Sequence, residues 1–204
     1  MVNAEMLGKN RNPGADSIAV RMFRSTFDIA GETRAILGEH PSEMRLLGFA
    51  LLANLVYSLS WFVKTQVSAE AADVSRTGQD ILIYLIVALL MRTALIYALA
   101  ALIGFAMKGF GGQGSLQDTR AGVFWGALVA APFGLVISQL AVFLQLLHVQ
   151  NFAALTVWLG MVPFVWYVAK GAAVANRMEN SIPLFGVLSA LGVVLAFGLQ
   201  FLAG

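Results

Sequence analysis

Residues 111–119 read GGQGSLQDT. Three glycines, a serine and an aspartate lie between two long apolar runs, and whether they cradle a ligand or turn the chain decides how the rest is read. A phosphate loop of the nucleotide-hydrolase type follows a strand and closes on Gly-Lys-Ser/Thr. Here Gly114 leads to Ser115 with no lysine, and the preceding run is long enough to be a membrane-crossing helix. A turn fits the residues better. Gly109, Gly111 and Gly112 tolerate positive φ just past a helix end. Ser115 is a good helix N-cap, and Asp118 three residues on approximates a capping box, with Asp in place of the usual Glu or Gln. The stretch therefore predicts helix, tight turn, helix.

Composition predicts the solvent around those helices. Of 204 residues, 59% are apolar and 12% charged, against about 25% charged in a soluble domain. The formal charge of +2 and the lack of a basic run exclude a nucleic-acid partner. With no cysteine, thiol catalysis, thiolate metal sites and disulfides are excluded. The first twenty residues hold no continuous apolar core, so no cleavable secretory signal is expected.

A spanning helix needs about 20 mainly apolar residues. Five segments qualify, at roughly 46–63, 81–107, 121–147, 152–169 and 183–203. Aromatic residues near their ends, such as Trp61, Trp125 and Trp166, suit interfacial anchoring. Ten of the lysines and arginines fall before the first segment and in the second and fourth loops, and two (Lys64 and Arg76) fall in the first loop. The positive-inside rule then puts the N-terminus in the cytoplasm and the C-terminus outside, as an odd number of spans requires. The expected fold is all-α: a polytopic five-span helical bundle over residues 41–204, in a bacterial inner membrane.

Residues 1–16 are polar and carry the turn signal Asn12-Pro13-Gly14, so a flexible cytoplasmic tail is expected. Residues 17–40 predict one amphipathic interfacial helix. Ile18, Met22, Ile29 and Ile36 share one arc, which Phe23, Ala30 and Leu37 widen, while Arg21, Arg24, Asp28 and Glu32 gather opposite. Gly38 and Pro41 end it. Lying on the membrane surface, it either anchors the edge of the bundle or docks a partner, through Phe23, Phe27, Arg21 and Arg24.

Arg92 falls near the middle of the second span. An arginine at bilayer centre costs roughly 2.5–3.5 kcal/mol, and no Asp or Glu lies within any span to pair with it. Asn54, Ser138, Gln139 and Gln145 are the candidate partners. Arg92, Asn54 and Gln139 make a candidate intramembrane polar site for an anion, a lipid headgroup or an acidic group of another protein; the alternative is an arginine that bonds neighbouring helices and snorkels. No catalytic or metal-binding motif is present, and the two histidines, His40 and His148, fall near opposite membrane faces. No enzyme activity, cofactor or metal is expected. Gly122 and Gly126 form a G-x-x-x-G pair, and Gly186 with Ala190 repeats the spacing, a pattern that lets helices approach closely within one chain or between copies. Pro132 and Pro163 lie inside the third and fourth spans.

The stretch GGQGSLQDTRAG, Gly111–Gly122, also resembles the loop G-G-x-G-S-hydrophobic-x-x-T of the Yip family, the Ypt/Rab-interacting integral membrane proteins. Gly111, Gly112, Gly114, Ser115 and Thr119 carry the match. Gln113 departs from it, since the family favours a basic residue there. The resemblance covers about Gly38–Gly204. It implies five spans, with this loop in the cytosol between the second and third, and no catalytic activity. Eukaryotic members are associated with small GTPases and membrane traffic; this short chain is similar to bacterial members, to which GTPase binding does not carry over. The leading expectation is a non-enzymatic inner-membrane protein that binds or organises other integral membrane proteins or the lipid bilayer, as a single chain or a homo-oligomer. The alternatives are a small transporter or lipid- or anion-binding protein built on Arg92, and an accessory subunit of a larger membrane complex.

Overall fold

A computed structural model describes residues 16–67, 78–147 and 150–203. Among them are seven helices and no strand: α1 (Ile18–Ser25), α2 (Ile29–Gly38), α3 (Glu43–Val67), α4 (Gly78–Gly109), α5 (Leu116–Leu146), α6 (Gln150–Ala175) and α7 (Ile182–Ala203). Three stretches are long and apolar enough to cross a membrane, namely Leu82–Gly109, Leu116–Leu144 and Trp158–Ala175, and Ile182–Val194 is a shorter apolar helix. The expected tail (except Asp16), most of the first loop and His148 lie outside the described residues.

The single amphipathic helix expected over residues 17–37 is instead two helices. The Thr26 hydroxyl turns back to the Phe23 carbonyl at 2.7 Å. Asp28 then caps a new helix, accepting the Gly31 amide at 2.8 Å. A side chain that bonds its own backbone competes with helix continuation, and here two do so within three residues. α2 ends at Gly38, and two residues on His40 takes a left-handed φ of 47° before Pro41.

α5 is the axis of the fold. Every residue from Ala121 to Ala131 is buried, so this part of the helix is apolar all round because protein surrounds it on every side. Against it pack α1, α2, α3, α4 and α6. Phe49 of α3 meets Trp125 edge-on at 5.3 Å, and Tyr97 of α4 meets Phe124 at 4.6 Å. The closest partner is α6. A Cβ on Gly122 would run into the Gly171 carbonyl, one on Gly171 into the Gly122 carbonyl, and one on Gly126 into the Tyr167 carbonyl. The G-x-x-x-G pair thus brings two backbones of the same chain into contact. Gly186 of α7, by contrast, has nothing within 4 Å of its Cβ position.

Pro132 lies in α5 and Pro163 in α6. Beyond Pro132, α5 turns apolar side chains such as Val136 and Phe143 outward. α4 does the same with Leu90, Met91, Leu95 and Leu102. Outward apolar faces on long helices suit a hydrocarbon surround.

Gly126→Ala therefore should separate α5 from α6 and lower unfolding free energy by about 2 kcal/mol, whereas Gly186→Ala should leave it unchanged. Reversible unfolding in mixed micelles, followed by circular dichroism, measures both.

Candidate functional site

Three polar constellations interrupt this apolar frame. The first fastens α1 and α2 to the bundle, and it buries Arg21 and Glu32 of the charged face. Arg21 and Glu32 are buried at 4% exposure each, while Phe23 and Phe27 are 67% and 81% exposed. Arg21 Nη1 donates to Glu39 Oε1 at 2.8 Å, and its Nε lies 3.5 Å from Glu32 Oε2. Its guanidinium carbon stands 5.9 Å from the centre of the Trp125 ring. Arg45 of α3 reaches the other Glu39 oxygen at 2.6 Å. Trp125 Nε1 donates to Ser25 Oγ at 3.1 Å, and that hydroxyl donates to the Arg21 carbonyl at 2.9 Å. The Tyr167 hydroxyl donates to the Thr26 carbonyl at 3.2 Å, which ties the α1–α2 turn to α6. Arg24, paired with Asp16 at 2.6 Å, and Asp28 keep the outward position expected of the charged face.

The outward face of α1 is apolar. Phe23 and Phe27 form an edge-on pair with centroids 5.5 Å apart. Beside them a cavity of about 540 Å³ opens between α1 and α5, lined by Met22, Phe23, Thr26, Val129, Pro132 and Phe133 among others, with no charged side chain.

The second constellation is the glycine loop. α4 ends in a Schellman motif: Gly111 takes φ 83°, its amide donates to the Lys108 carbonyl, and the Gly112 amide reaches the Met107 carbonyl at 2.8 Å. Among the glycines expected at positive φ, only Gly111 adopts it; Gly109 is the last residue of α4. The end of α6 repeats the motif with Arg177 at φ 58°, and the Met178 amide donates to the Ala173 carbonyl at 2.9 Å. The two ends are fastened together. The Gln113 amide donates to the Asn176 carbonyl at 3.1 Å. Gly114 passes so near Ala175 that any Cβ would strike its carbonyl. Ser115 Oγ accepts the Asp118 amide while Asp118 Oδ2 accepts the Ser115 amide, each at 3.0 Å, a reciprocal capping box in which Asp serves for Glu. Thr119 is fully buried. It donates to the Ser115 carbonyl at 3.0 Å and accepts from Asn176 Nδ2 at 3.0 Å. Gly111, Gly112, Gly114, Ser115 and Thr119 thus form a latch on the end of α6, and the phosphate-cradle geometry of upward-pointing free amides does not arise among them.

The third constellation lies deeper. Asn54 Nδ2 of α3 donates to Thr93 Oγ1 of α4 at 3.0 Å, and Arg92 Nη1 donates to Ser58 Oγ at 3.2 Å. These are two adjacent rungs, because Asn54 and Ser58 are one helical turn apart and Thr93 follows Arg92. Gln139 does not join them; it donates to Ser138 Oγ at 3.3 Å. Of the expected set, Arg92 and Asn54 line one cavity, and Gln139 bonds elsewhere.

Sequence reasoning missed three residues. Asn176, whose side chain joins α6 to Thr119, carries no local motif. Ser58 had its signal in the i, i+4 spacing from Asn54. Glu39 holds both Arg21 and Arg45 although it follows the last residue of α2, where helical periodicity ends. Among the described residues no group of three or more His, Asp or Glu side chains is placed to hold a metal. No family model, curated relative or solved structure matches the chain.

Three variants test these assignments. Thr119→Val removes the hydroxyl between Ser115 and Asn176 and should lower unfolding free energy by about 1–3 kcal/mol. Arg21→Leu leaves Glu32 buried without its cation and should cost about 3–5 kcal/mol, whereas Arg21→Leu with Glu32→Leu should recover most of that loss. Chemical unfolding of the three variants, compared with the parent, checks both.

Proposed function

We propose that this chain is a non-enzymatic, five-span membrane protein of Yip type that organises the cytoplasmic leaflet of a bacterial inner membrane. The observation that carries this reading is the docked α1: Arg21 is fastened inside the bundle, Arg24 pairs with Asp16 on the outside, and Phe23 and the following Phe27 face outward. A helix with cations facing water docks to a membrane surface by charge. One that ties Arg21 into the bundle and presents two phenylalanines beside an apolar cavity inserts into the headgroup–acyl boundary, with Arg24 at the headgroup level.

In this reading α3 and α7 cross the bilayer together with α4, α5 and α6. At 1.5 Å per residue α5 is roughly 46 Å long, against a hydrocarbon core of about 30 Å. With the excess at its start, Trp125, which holds α1, lies where α5 enters the acyl region, and the cavity beside α1 reaches on to Val136 and Ile137. Met44 and Phe110, 77% and 70% exposed, add apolar surface toward the start of α5. Lys108, Arg120, Lys170 and Arg177 mark the cytoplasmic side by the positive-inside rule, and the C-terminus is periplasmic. The family resemblance supports the reading through one loop, whose glycines and Thr119 fix the junction of the second and third spans.

The chain has no cysteine, so Phe27→Cys gives a single attachment point for a nitroxide. In reconstituted bilayers that label should be relaxed more strongly by oxygen than by a water-soluble nickel chelate, and a label at Arg24→Cys should show the opposite preference. Higher chelate accessibility at position 27 would remove the basis of this proposal. Native mass spectrometry after gentle extraction then separates a leaflet organiser, expected as the chain or its homo-oligomer with bound lipid, from a stoichiometric subunit of a larger complex.

A further inference from the structure

A second cavity, of about 510 Å³, is lined by Asn54 and Tyr57 of α3, by Arg92, Leu95, Ile96 and Leu99 of α4, and by Gly160, Met161 and Phe164 of α6. It is within the size range of small-ligand pockets, which run from about 300 to 1,000 Å³. Its chemistry is unbalanced. Arg92 brings a permanent positive charge and five N–H donors. Among the described residues its one hydrogen bond is to Ser58, a neutral hydroxyl, and it makes no ion pair. The carboxylates in ion pairs, Asp16, Glu32, Glu39 and Glu43, are all taken by Arg21, Arg24, Arg45 and Arg120 near α1, α2 and the starts of α3 and α5. The Tyr57 hydroxyl is buried with no hydrogen-bond partner. Its ring is held in place, edge-on to Phe164 at 6.3 Å and against Gly134, where a Cβ would meet it at 2.6 Å.

A guanidinium held at membrane depth without a counter-ion is costly, and such residues mark ion or substrate sites. The charge is matched only by an anion, and the planar fork favours a carboxylate or phosphate. The remaining walls are hydrocarbon, and Leu95 at the cavity is 60% exposed on the outer face of α4, so the opening faces the acyl region. We infer that Arg92 and this cavity form a binding site for an oxyanion, carboxylate or phosphate, carried on a hydrocarbon chain that enters sideways from the bilayer. The guanidinium takes the acidic head, and Leu95, Leu99 and Met161 take the start of the tail. The site is separate from the α1 face and does not depend on it.

The test is equilibrium binding of radiolabelled palmitate to delipidated full-length protein in uncharged detergent, with hexadecanol, acetate and inorganic phosphate as competitors. Saturable binding of one palmitate is expected, with hexadecanol at least about tenfold weaker, because a hydrogen-bonded charge pair is lost. Arg92→Leu should lose at least about tenfold in affinity. Arg92→Lys, which keeps the charge but not the fork, should fall between. Leu99→Trp, which fills the cavity and leaves Arg92 in place, should also abolish binding, and it decides the matter if Arg92→Leu does not fold. Competition by acetate or phosphate alone at the affinity of palmitate would keep the oxyanion site but assign it to a soluble anion. Equal affinity for hexadecanol, no saturable binding, or full affinity in Arg92→Leu or Leu99→Trp would overturn the inference.

Discussion

The contact of α5 with α6, backbone against backbone at Gly122, Gly126 and Gly171, is the constraint on which the other constellations depend. In a hydrocarbon solvent, apolar side chains gain little by meeting one another, so close packing of small residues supplies association. The approach of these two helices brings the end of α6 beside the start of α5. Only then can Asn176 reach Thr119 and Gln113 reach the Asn176 carbonyl. It also sets Trp125 and Tyr167 side by side as donors to the α1–α2 turn. The glycine loop and the docked helix pair are therefore two consequences of one interface.

The same interface accounts for the burial of Arg21. Once Trp125 presents its N–H and its ring face at the side of the bundle, a cation and a hydroxyl are the complementary groups, and α1 supplies both in Arg21 and Ser25. Glu32 and Glu39 balance the arginine from α2 and its C-cap. Burying charge is costly, and the cost is offset here by ion pairs and by the cation–aromatic contact. The phenylalanines are consequently left on the outside. In water that arrangement would be unfavourable; in the boundary between headgroups and acyl chains it is the favourable one.

The rungs between α3 and α4 follow a different logic. Asn54 with Thr93 is a neutral pair that fixes the register of the two helices, and Thr93 in turn donates to the Leu89 carbonyl. Arg92 with Ser58, one position away, leaves most of the guanidinium's hydrogen-bonding capacity unused. Two neighbouring polar contacts beside the same cavity thus differ in charge, and the charged one has donors to spare.

Residue composition and periodicity by themselves determined that the chain is helical, that its long helices are apolar, and that Gly111–Thr119 is a capped turn between two of them. These properties rest on hydropathy, on the backbone freedom of glycine and on the hydrogen-bonding reach of Ser115 and Asp118, all within a few residues of each other. The amphipathic pattern of residues 17–37 was legible too, but its orientation was not. A periodic sequence shows that two faces differ, and it does not show which solvent or partner each one meets. That was decided by Trp125, a hundred residues from Ser25 in the chain. The break at Thr26–Asp28, the choice of Ser58 over Gln139 for Arg92, and the joining of Thr119 to Asn176 were likewise decided by the tertiary structure. Each depends on where a second helix lies in space, and local propensity carries no information about that distance.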